Sequence, residues 1–99
     1  MTIPGAGGVV INSISVSSRY KKQYKKLSAG IQAKVKDVLK GLKKNPRPAG
    51  IRFEKLKGYH KPNIYTVHIT GNFKMSLEIV GNEARLRCVG NHNEIDRSP

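Results

Sequence analysis

Three histidines are the residues of this 99-residue chain best suited to proton transfer near neutral pH. They are His60, His68 and His92. An unperturbed imidazole has a pKa of about 6.5, so it can give or take a proton close to pH 7. The last of the three follows a strand-like run and a glycine, in the stretch VGNHNEIDRSP. That position fits one wall of an active site and fits a solvated tail equally well, so the surrounding elements have to decide.

The histidines are not accompanied by any metal, nucleotide or hydrolase motif. Their spacing contains no HxH or HxxxH pair, and Cys88 is the only cysteine. Protein zinc sites use several His, Cys or carboxylate ligands at such spacings, so we expect no metal and no other cofactor. The chain also contains no Walker loop, no GxGxxG and no GxSxG. Any chemistry would therefore depend on the side chains of the chain itself.

Positive charge is the strongest feature of the composition. Lys and Arg number 19 against 6 Asp and Glu, for a net charge of +13. So large a charge repels itself in a compact domain, and a polyanion or an acidic partner would offset it. Nucleic acid is the first candidate, an acidic protein the second and an anionic membrane surface the third. The lone Cys88 excludes an internal disulfide, which fits a reducing, cytoplasmic setting. We expect no membrane-spanning segment, because no run approaches the roughly 20 apolar residues needed.

The hydrophobic pattern predicts a single domain over residues 9–99, preceded by a flexible lead-in over residues 1–8. The predicted strands are Val9–Val16, Ile64–Thr70, Phe73–Val80 and Ala84–Val89. The last three are joined by the turn pairs Gly71-Asn72 and Gly81-Asn82. Residues 45–63, rich in proline and glycine, are predicted as a loop in which only the run IRFEKL could be extended.

Two helices are predicted between the first and second strands. The first begins near Arg19 after a Ser17 or Ser18 cap, and the second runs from Ser28 to about Lys44. The order β-α-α-β-β-β predicts an α+β fold, in which a helical hairpin packs on one face of a mainly antiparallel four-stranded sheet.

Strand alternation predicts which side chains share the open face of that sheet. Successive side chains of a strand point to opposite faces. The apolar side chains of the last two strands form the inward set: Phe73, Met75, Leu77, Ile79, Ala84, Leu86 and Cys88. The outward set then combines one histidine with cations: His68, Lys74, Arg85 and Arg87. Because His92 follows the last strand directly, a cationic face that carries histidines is predicted.

Each of these residues also has a simpler interpretation. The lysine runs at 21–26 and 34–44 are typical of the solvated backs of two amphipathic helices. His68 fits an ordinary polar strand position, and His60 fits an ordinary loop position. The charge and the histidines together point further, because binding alone needs cations but has no need of histidines.

Cleavage of RNA without a metal ion requires few groups. One group must accept the proton of the 2′-hydroxyl, another must protonate the leaving 5′-oxygen, and cations must stabilise the charge that builds on phosphorus. Histidine suits the first two roles, and Lys or Arg suits the third. The predicted face supplies all of them.

Several motifs resemble the RelE/ParE superfamily of bacterial toxin–antitoxin toxins. They are YKKQYKKL, LKKNPRPAGIRFEKLKG, IYTVHITGNFKMSLEIV and the terminal VGNHNEIDR, and the resemblance covers roughly residues 9–97. It implies an endoribonuclease that enters the A site of the 70S ribosome and cuts messenger RNA there. It also implies an acidic antitoxin that neutralises the protein.

The placement of the histidines is most similar to the YafQ-like branch of that superfamily. The resemblance implies that His92, His68 and His60 are catalytic. It implies RNA or phosphate binding for a set of cations: Lys74, Arg85, Arg87 and Lys57. Asn72 and Asp96 are possible supporting residues, and both depart from the pattern. The YafQ-like branch has an aspartate at the position of Asn72, and many members have a base-stacking aromatic where this chain has Asp96 or Ile95.

Two other functions remain open at this level. The ParE-like branch shares the fold but poisons gyrase and does not use these histidines. A non-catalytic relative would bind RNA or the ribosome without cutting messenger. The fold alone does not distinguish these functions.

Overall fold

The computed structural model describes residues 10–44, 49–60 and 63–99. Within them the chain forms the strands β1 (Ser13–Val16), β2 (Glu54–His60), β3 (Asn63–His68), β4 (Phe73–Val80) and β5 (Glu83–Asn91). The helices are α1 (Ser18–Lys25), α2 (Ala29–Leu42) and α3 (His92–Arg97), and a 3₁₀ turn at Ala49–Ile51 precedes β2. The lead-in predicted for residues 1–8 lies outside the described residues.

The sheet has five strands in the order β1-β5-β4-β3-β2. All neighbouring pairs are antiparallel except β1 and β5, which run parallel. The α+β class and the mainly antiparallel sheet are confirmed, but the prediction of four strands is wrong. The additional strand is β2, which occupies part of the predicted loop. Its pairing with β3 shifts register between Lys55 and His60, and this irregularity explains why no clean alternation marks it in the sequence.

The helical hairpin covers one face of the sheet, as predicted. Ser17 caps α1 by accepting a hydrogen bond from the Tyr20 N–H at 3.0 Å, and Ser28 caps α2 through the Ile31 N–H at 3.3 Å. Apolar side chains of both helices and of the sheet's inner face form one buried core: Tyr20, Val35, Val38, Leu42, Tyr65, Val67, Met75, Leu77, Ala84, Leu86 and Val89.

A β-bulge in β5 changes which residues face that core. Leu77 pairs with Leu86, but Ser76 pairs with Cys88, so the backbone of Arg87 has no pairing partner on β4. One extra residue reverses the alternation beyond it. Val89 therefore enters the main core opposite Met75, and the prediction that Cys88 faces the helices is wrong. Cys88 is buried on the other face of the sheet, where the short helix α3 packs against β4 and β5.

Beyond the end of β1, the hydrogen bonds to β5 come from Ser17, which caps α1, and from Gln23 within α1. The N–H of Ser17 donates to the Leu86 carbonyl at 3.0 Å, and its hydroxyl donates to the Arg87 carbonyl at 2.9 Å. The side-chain oxygen of Gln23 accepts the N–H of Val89 at 2.9 Å. These bonds satisfy backbone groups around the bulge that would otherwise be buried without partners.

Among the helices that the structure describes, none is both long and apolar enough to cross a bilayer.

Candidate active site

The structure brings His68 and His92 into direct contact. Their ring centroids are 4.9 Å apart, and the rings meet edge to face at 71°. Both line a surface depression of about 450 Å³, together with Gly50, Arg52, Ile69, Thr70 and Gly71. Asn72, Asn91 and Asn93 border an adjoining depression that also reaches His92. The two histidines are thus neighbours in space at a concave, polar part of the surface.

The turn between β3 and β4 positions one side of this site. β3 ends at His68, so the connection comprises residues 69–72 rather than the predicted Gly71-Asn72 pair. The Thr70 hydroxyl accepts hydrogen bonds from the N–H groups of Asn72 and Phe73, each at 3.2 Å. The carbonyl of Asn72 then accepts the N–H of His92 at 3.0 Å. This last bond ties the turn after His68 to the residue that begins α3.

The start of α3 positions the other side. Asn91 and Glu94 form a capping box, in which the Asn91 side chain accepts the Glu94 N–H at 2.9 Å and the Glu94 carboxylate accepts the Asn91 N–H at 3.2 Å. Ile95 is buried and anchors the helix to the sheet. His92 is the first residue of this capped helix, and its Nε2 is buried with no hydrogen-bond partner among the described residues. The terminal stretch is therefore an ordered wall of the depression.

The surroundings of His68 lower its pKa below the usual 6.5. Burial is the largest cause because it disfavours the charged imidazolium. Positive neighbours add to the effect, in the order His92, Arg52 and Lys74, and Glu54 opposes them. Lowering this pKa keeps His68 neutral at pH 7, which is the form that can accept a proton.

Arg52 lines the depression and Glu54 acts on the pKa of His68, and the sequence pattern indicates neither residue. Arg52 is exposed and has a φ of 47°, in the left-handed region that side chains other than glycine seldom adopt. Phe53 stacks on Tyr65 with ring centroids 5.0 Å apart, which holds this segment beside β3. No local pattern in IRFEKL indicates this backbone conformation, so only the pairing of β2 with β3 could have identified the two residues.

Lys74 lies directly opposite His68 in the β3–β4 register, as the alternation predicts. It forms an ion pair with Asp96 of α3. The side chain of Lys74 is only 13% exposed, whereas that of Asp96 is 59% exposed. The cation is therefore close to the histidines but is covered by a carboxylate.

Arg85 and Arg87 lie apart from the histidines. They line a different depression of about 300 Å³, which shares no lining residue with the one at His68 and His92. Arg87 donates to the Glu78 carboxylate at 3.0 Å, and Arg85 lies 3.6 Å from that of Glu83. Both face outward as predicted, but the structure does not place them beside the histidine pair.

His60 and Lys57 belong to strand β2, not to the predicted loop. The backbone of His60 pairs with that of Asn63 at the end of the β2–β3 ladder. The side chains of both residues lie outside the described part of the structure.

Solved structures with a similar fold include those of the toxins RelE and YafQ. A chain of the RelB–RelE antitoxin–toxin complex from Methanococcus jannaschii matches with a TM-score of 0.64 and 24% identity, over 86% of this chain and 99% of that one. A chain of the E. coli DinJ–YafQ toxin–antitoxin complex matches with a TM-score of 0.69 and 20% identity, over 88% and 98%. E. coli YafQ itself matches with a TM-score of 0.69 and 17% identity, over 83% and 94%.

At these identities the likeness establishes the fold, and the chain has the RelE-like fold. No protein-family model matches the sequence, and no curated protein matches it either.

Proposed function

We propose that the protein is the toxin of a toxin–antitoxin pair, and that it cleaves messenger RNA in the A site of the 70S ribosome without a metal ion. Cleavage would take place in the cytoplasm and arrest translation. The observation that carries the proposal is the contact between His68 and His92 in an open depression, with Arg52 and Lys74 beside it. The RelE-like fold and the motifs of the sequence agree with it.

The two histidines can divide the acid–base chemistry between them. His68, with its lowered pKa, accepts the proton of the ribose 2′-hydroxyl as the oxygen attacks the neighbouring phosphorus. The bond from phosphorus to the 5′-oxygen breaks, and His92 supplies the proton that the leaving oxygen takes up. A proton on His92 also disfavours a second one on His68, because like charges in contact repel.

Cations complete the proposed site. Arg52 stands at the rim of the depression, where a guanidinium can bind two oxygens of a phosphate. The resemblance implies phosphate binding for Lys74, and Lys57, Arg85 and Arg87 are further candidates. Arg85 and Arg87 line a separate depression. In this arrangement the charge that develops on phosphorus meets fixed positive groups.

The proposed partner that neutralises the protein is an acidic antitoxin. In the similar structures of RelE and YafQ the chains are crystallised with RelB and DinJ. A chain of net charge +13 is suited to an acidic segment laid across its surface. A small acidic, DNA-binding protein encoded beside this one is therefore the expected antitoxin.

The test is expression of the parent, His68→Gln and His92→Gln, with messenger cleavage mapped by primer extension. Loss of a general acid or base typically costs 10²- to 10⁴-fold, so both variants should lose detectable cleavage and growth arrest. His60→Gln is measured in parallel and tests the third histidine separately. Thermal melts of each purified variant control for misfolding.

Two results would reject the proposal. Folded histidine variants that still cut messenger would show that the site is wrong. Growth arrest with a DNA-damage response and intact messenger would favour a ParE-like gyrase poison instead.

A further inference from the structure

The ion pair between Lys74 and Asp96 neutralises a cation beside the candidate site. Lys74 extends from β4 opposite His68, and its side chain is 13% exposed. Asp96 covers it from α3 with a side chain that is 59% exposed. A carboxylate presents two oxygens to a cation much as a phosphate does. The anion that reaches Lys74 in the free protein is therefore part of the protein itself.

Asp96 is held in this position by the rest of α3. The Asn91–Glu94 capping box fixes the start of the helix, and buried Ile95 fixes its inner side. Beyond its end the carbonyl of Ser98 accepts a hydrogen bond from Arg19 at 3.1 Å. Because the helix is anchored independently at these points, the Asp96 carboxylate is presented to Lys74 with little loss of side-chain entropy.

We propose that Asp96 is an internal competitor for the phosphate position at Lys74, so that an RNA phosphate binds there only when the ion pair opens. The proposal deepens the proposed function, on which it rests for the identity of RNA as the ligand. Asp96 then determines affinity at this position, because each phosphate that binds must displace a tethered carboxylate. Removing the carboxylate should strengthen RNA binding even though it adds no contact to RNA.

The salt dependence of binding provides a second signature. Each RNA phosphate that a lysine neutralises releases a cation condensed on the RNA. In the parent, the displaced Asp96 carboxylate stays beside the RNA and retains a cation, which offsets that release. Without the carboxylate, the contact with Lys74 gives its full release of a cation. The slope of log K against log salt should therefore become steeper by about 0.7 for single-stranded RNA.

The experiment compares Asp96→Asn with Asp37→Asn, because Asp37 is an exposed aspartate on α2 and is the only other aspartate in the chain. Both variants raise the net charge by one. The probe is a fluorescent single-stranded RNA with 2′-O-methyl groups, which cannot be cleaved by attack of the 2′-oxygen, and the readout is anisotropy over a range of salt. We expect about 3- to 5-fold tighter binding for Asp96→Asn and less than about 2-fold for Asp37→Asn.

A double-mutant cycle with Lys74→Gln identifies the cation involved. The gain should disappear in Asp96→Asn combined with Lys74→Gln, because the competed position is then absent. Asp96→Ser repeats the test with a second neutral side chain, in case the amide disturbs α3. The proposal is overturned if neither neutral variant binds RNA more tightly than Asp37→Asn, or if the gain persists without Lys74. The anisotropy assay measures binding to an RNA that cannot be cleaved. Its outcome is therefore independent of whether the messenger-cleavage assay succeeds or fails.

Discussion

At the residue scale, the sequence predicts the histidine pair and Lys74, but it does not predict Arg52. His68 and Lys74 follow from strand alternation alone, because their cross-strand pairing preserves a simple period of two. The position of His92 also depended on the motif resemblance, since α3 is too short to leave a clear periodic pattern. Arg52 could not be found this way, because it lies in an irregular segment between the 3₁₀ turn and β2, with a backbone conformation that has no sequence signature.

The lowered pKa of His68 can be measured by NMR titration of its imidazole protons. We expect a value below 6.5, and an increase in His92→Gln, because that substitution removes the largest of the neighbouring charges that disfavour protonation. Burial remains as the principal cause, so the increase should be partial. A value at or above 6.5 in the parent would contradict the described environment.

The same shift affects stability in a defined direction. Since the folded pKa lies below the unfolded value of about 6.5, the unfolded chain binds more protons between the two. The contribution of His68 to the free energy of unfolding should therefore increase as pH rises towards 6.5 and then level off. Urea titrations of the parent and of His68→Gln over pH 4.5–8 would show this difference.

Tyr20 offers a second residue-scale prediction. Its hydroxyl is buried without a hydrogen-bond partner among the described residues, and burial raises its pKa to about 12, with Tyr24 adding to the rise. Tyr20→Phe should leave stability unchanged or raise it by up to about 1–2 kcal/mol, because an unsatisfied polar group is removed.

Alkaline unfolding separates Tyr20 from the other tyrosines. Its folded pKa exceeds the unfolded value of 10.0, so its contribution to stability is lost as pH rises from about 10 to 12. Tyr20→Phe should lose that dependence, and Tyr24→Phe should retain it. Equal alkaline sensitivity in both variants would argue against the burial of this hydroxyl.

At the element scale, regular patterns were predictable and irregular ones were not. The bounds of β4 were predicted correctly, and so was the Gly81-Asn82 turn, where Gly81 has the positive φ of 60° that tight hairpins require. Strand β2 was missed because its register is interrupted. The face of the sheet on which Cys88 lies was predicted wrongly, because a bulge at Arg87 reverses the alternation of side chains in β5. No residue type at that point identifies a bulge.

The support that α1 gives to β5 can be tested at Gln23. Gln23→Ala leaves the buried N–H of Val89 without its partner, so we expect a loss of about 1–3 kcal/mol in the free energy of unfolding. The matched control is Gln32→Ala, which removes a single bond to the Tyr24 carbonyl at 2.9 Å and should cost up to about 1 kcal/mol. Chemical denaturation measures both, and equal costs would contradict the special role of the bulge.

At the scale of the whole molecule, charge is the property most directly readable from the sequence. The net charge of +13 needs no structure to establish, and it predicts steered association with acidic partners. The structure adds that three of the six acidic side chains, those of Glu78, Glu83 and Asp96, form ion pairs. Within α1 and α2, Asp37 is the only carboxylate that offsets the lysines.

Association with the proposed acidic antitoxin should depend on salt mainly through its rate. Raising NaCl from 50 to 500 mM should slow association by about tenfold or more and change dissociation by much less. Stopped-flow fluorescence measures the first and competition measures the second. Sucrose at matched viscosity controls for diffusion, and an association rate insensitive to salt would contradict electrostatic steering.

The parallel pairing of β1 with β5 has a consequence for how the protein is made. Ser13 pairs with Glu83, and β5 is also the partner of β4 and leads directly into His92. A ribosome synthesises the chain from its first residues onward, so β5 and His92 appear only after every other strand. A nascent chain that lacks them has no strand to join β1 to β4, and it has no contact between His68 and His92. Folding that waits for such distant contacts is slow, which leaves an interval between synthesis and any activity.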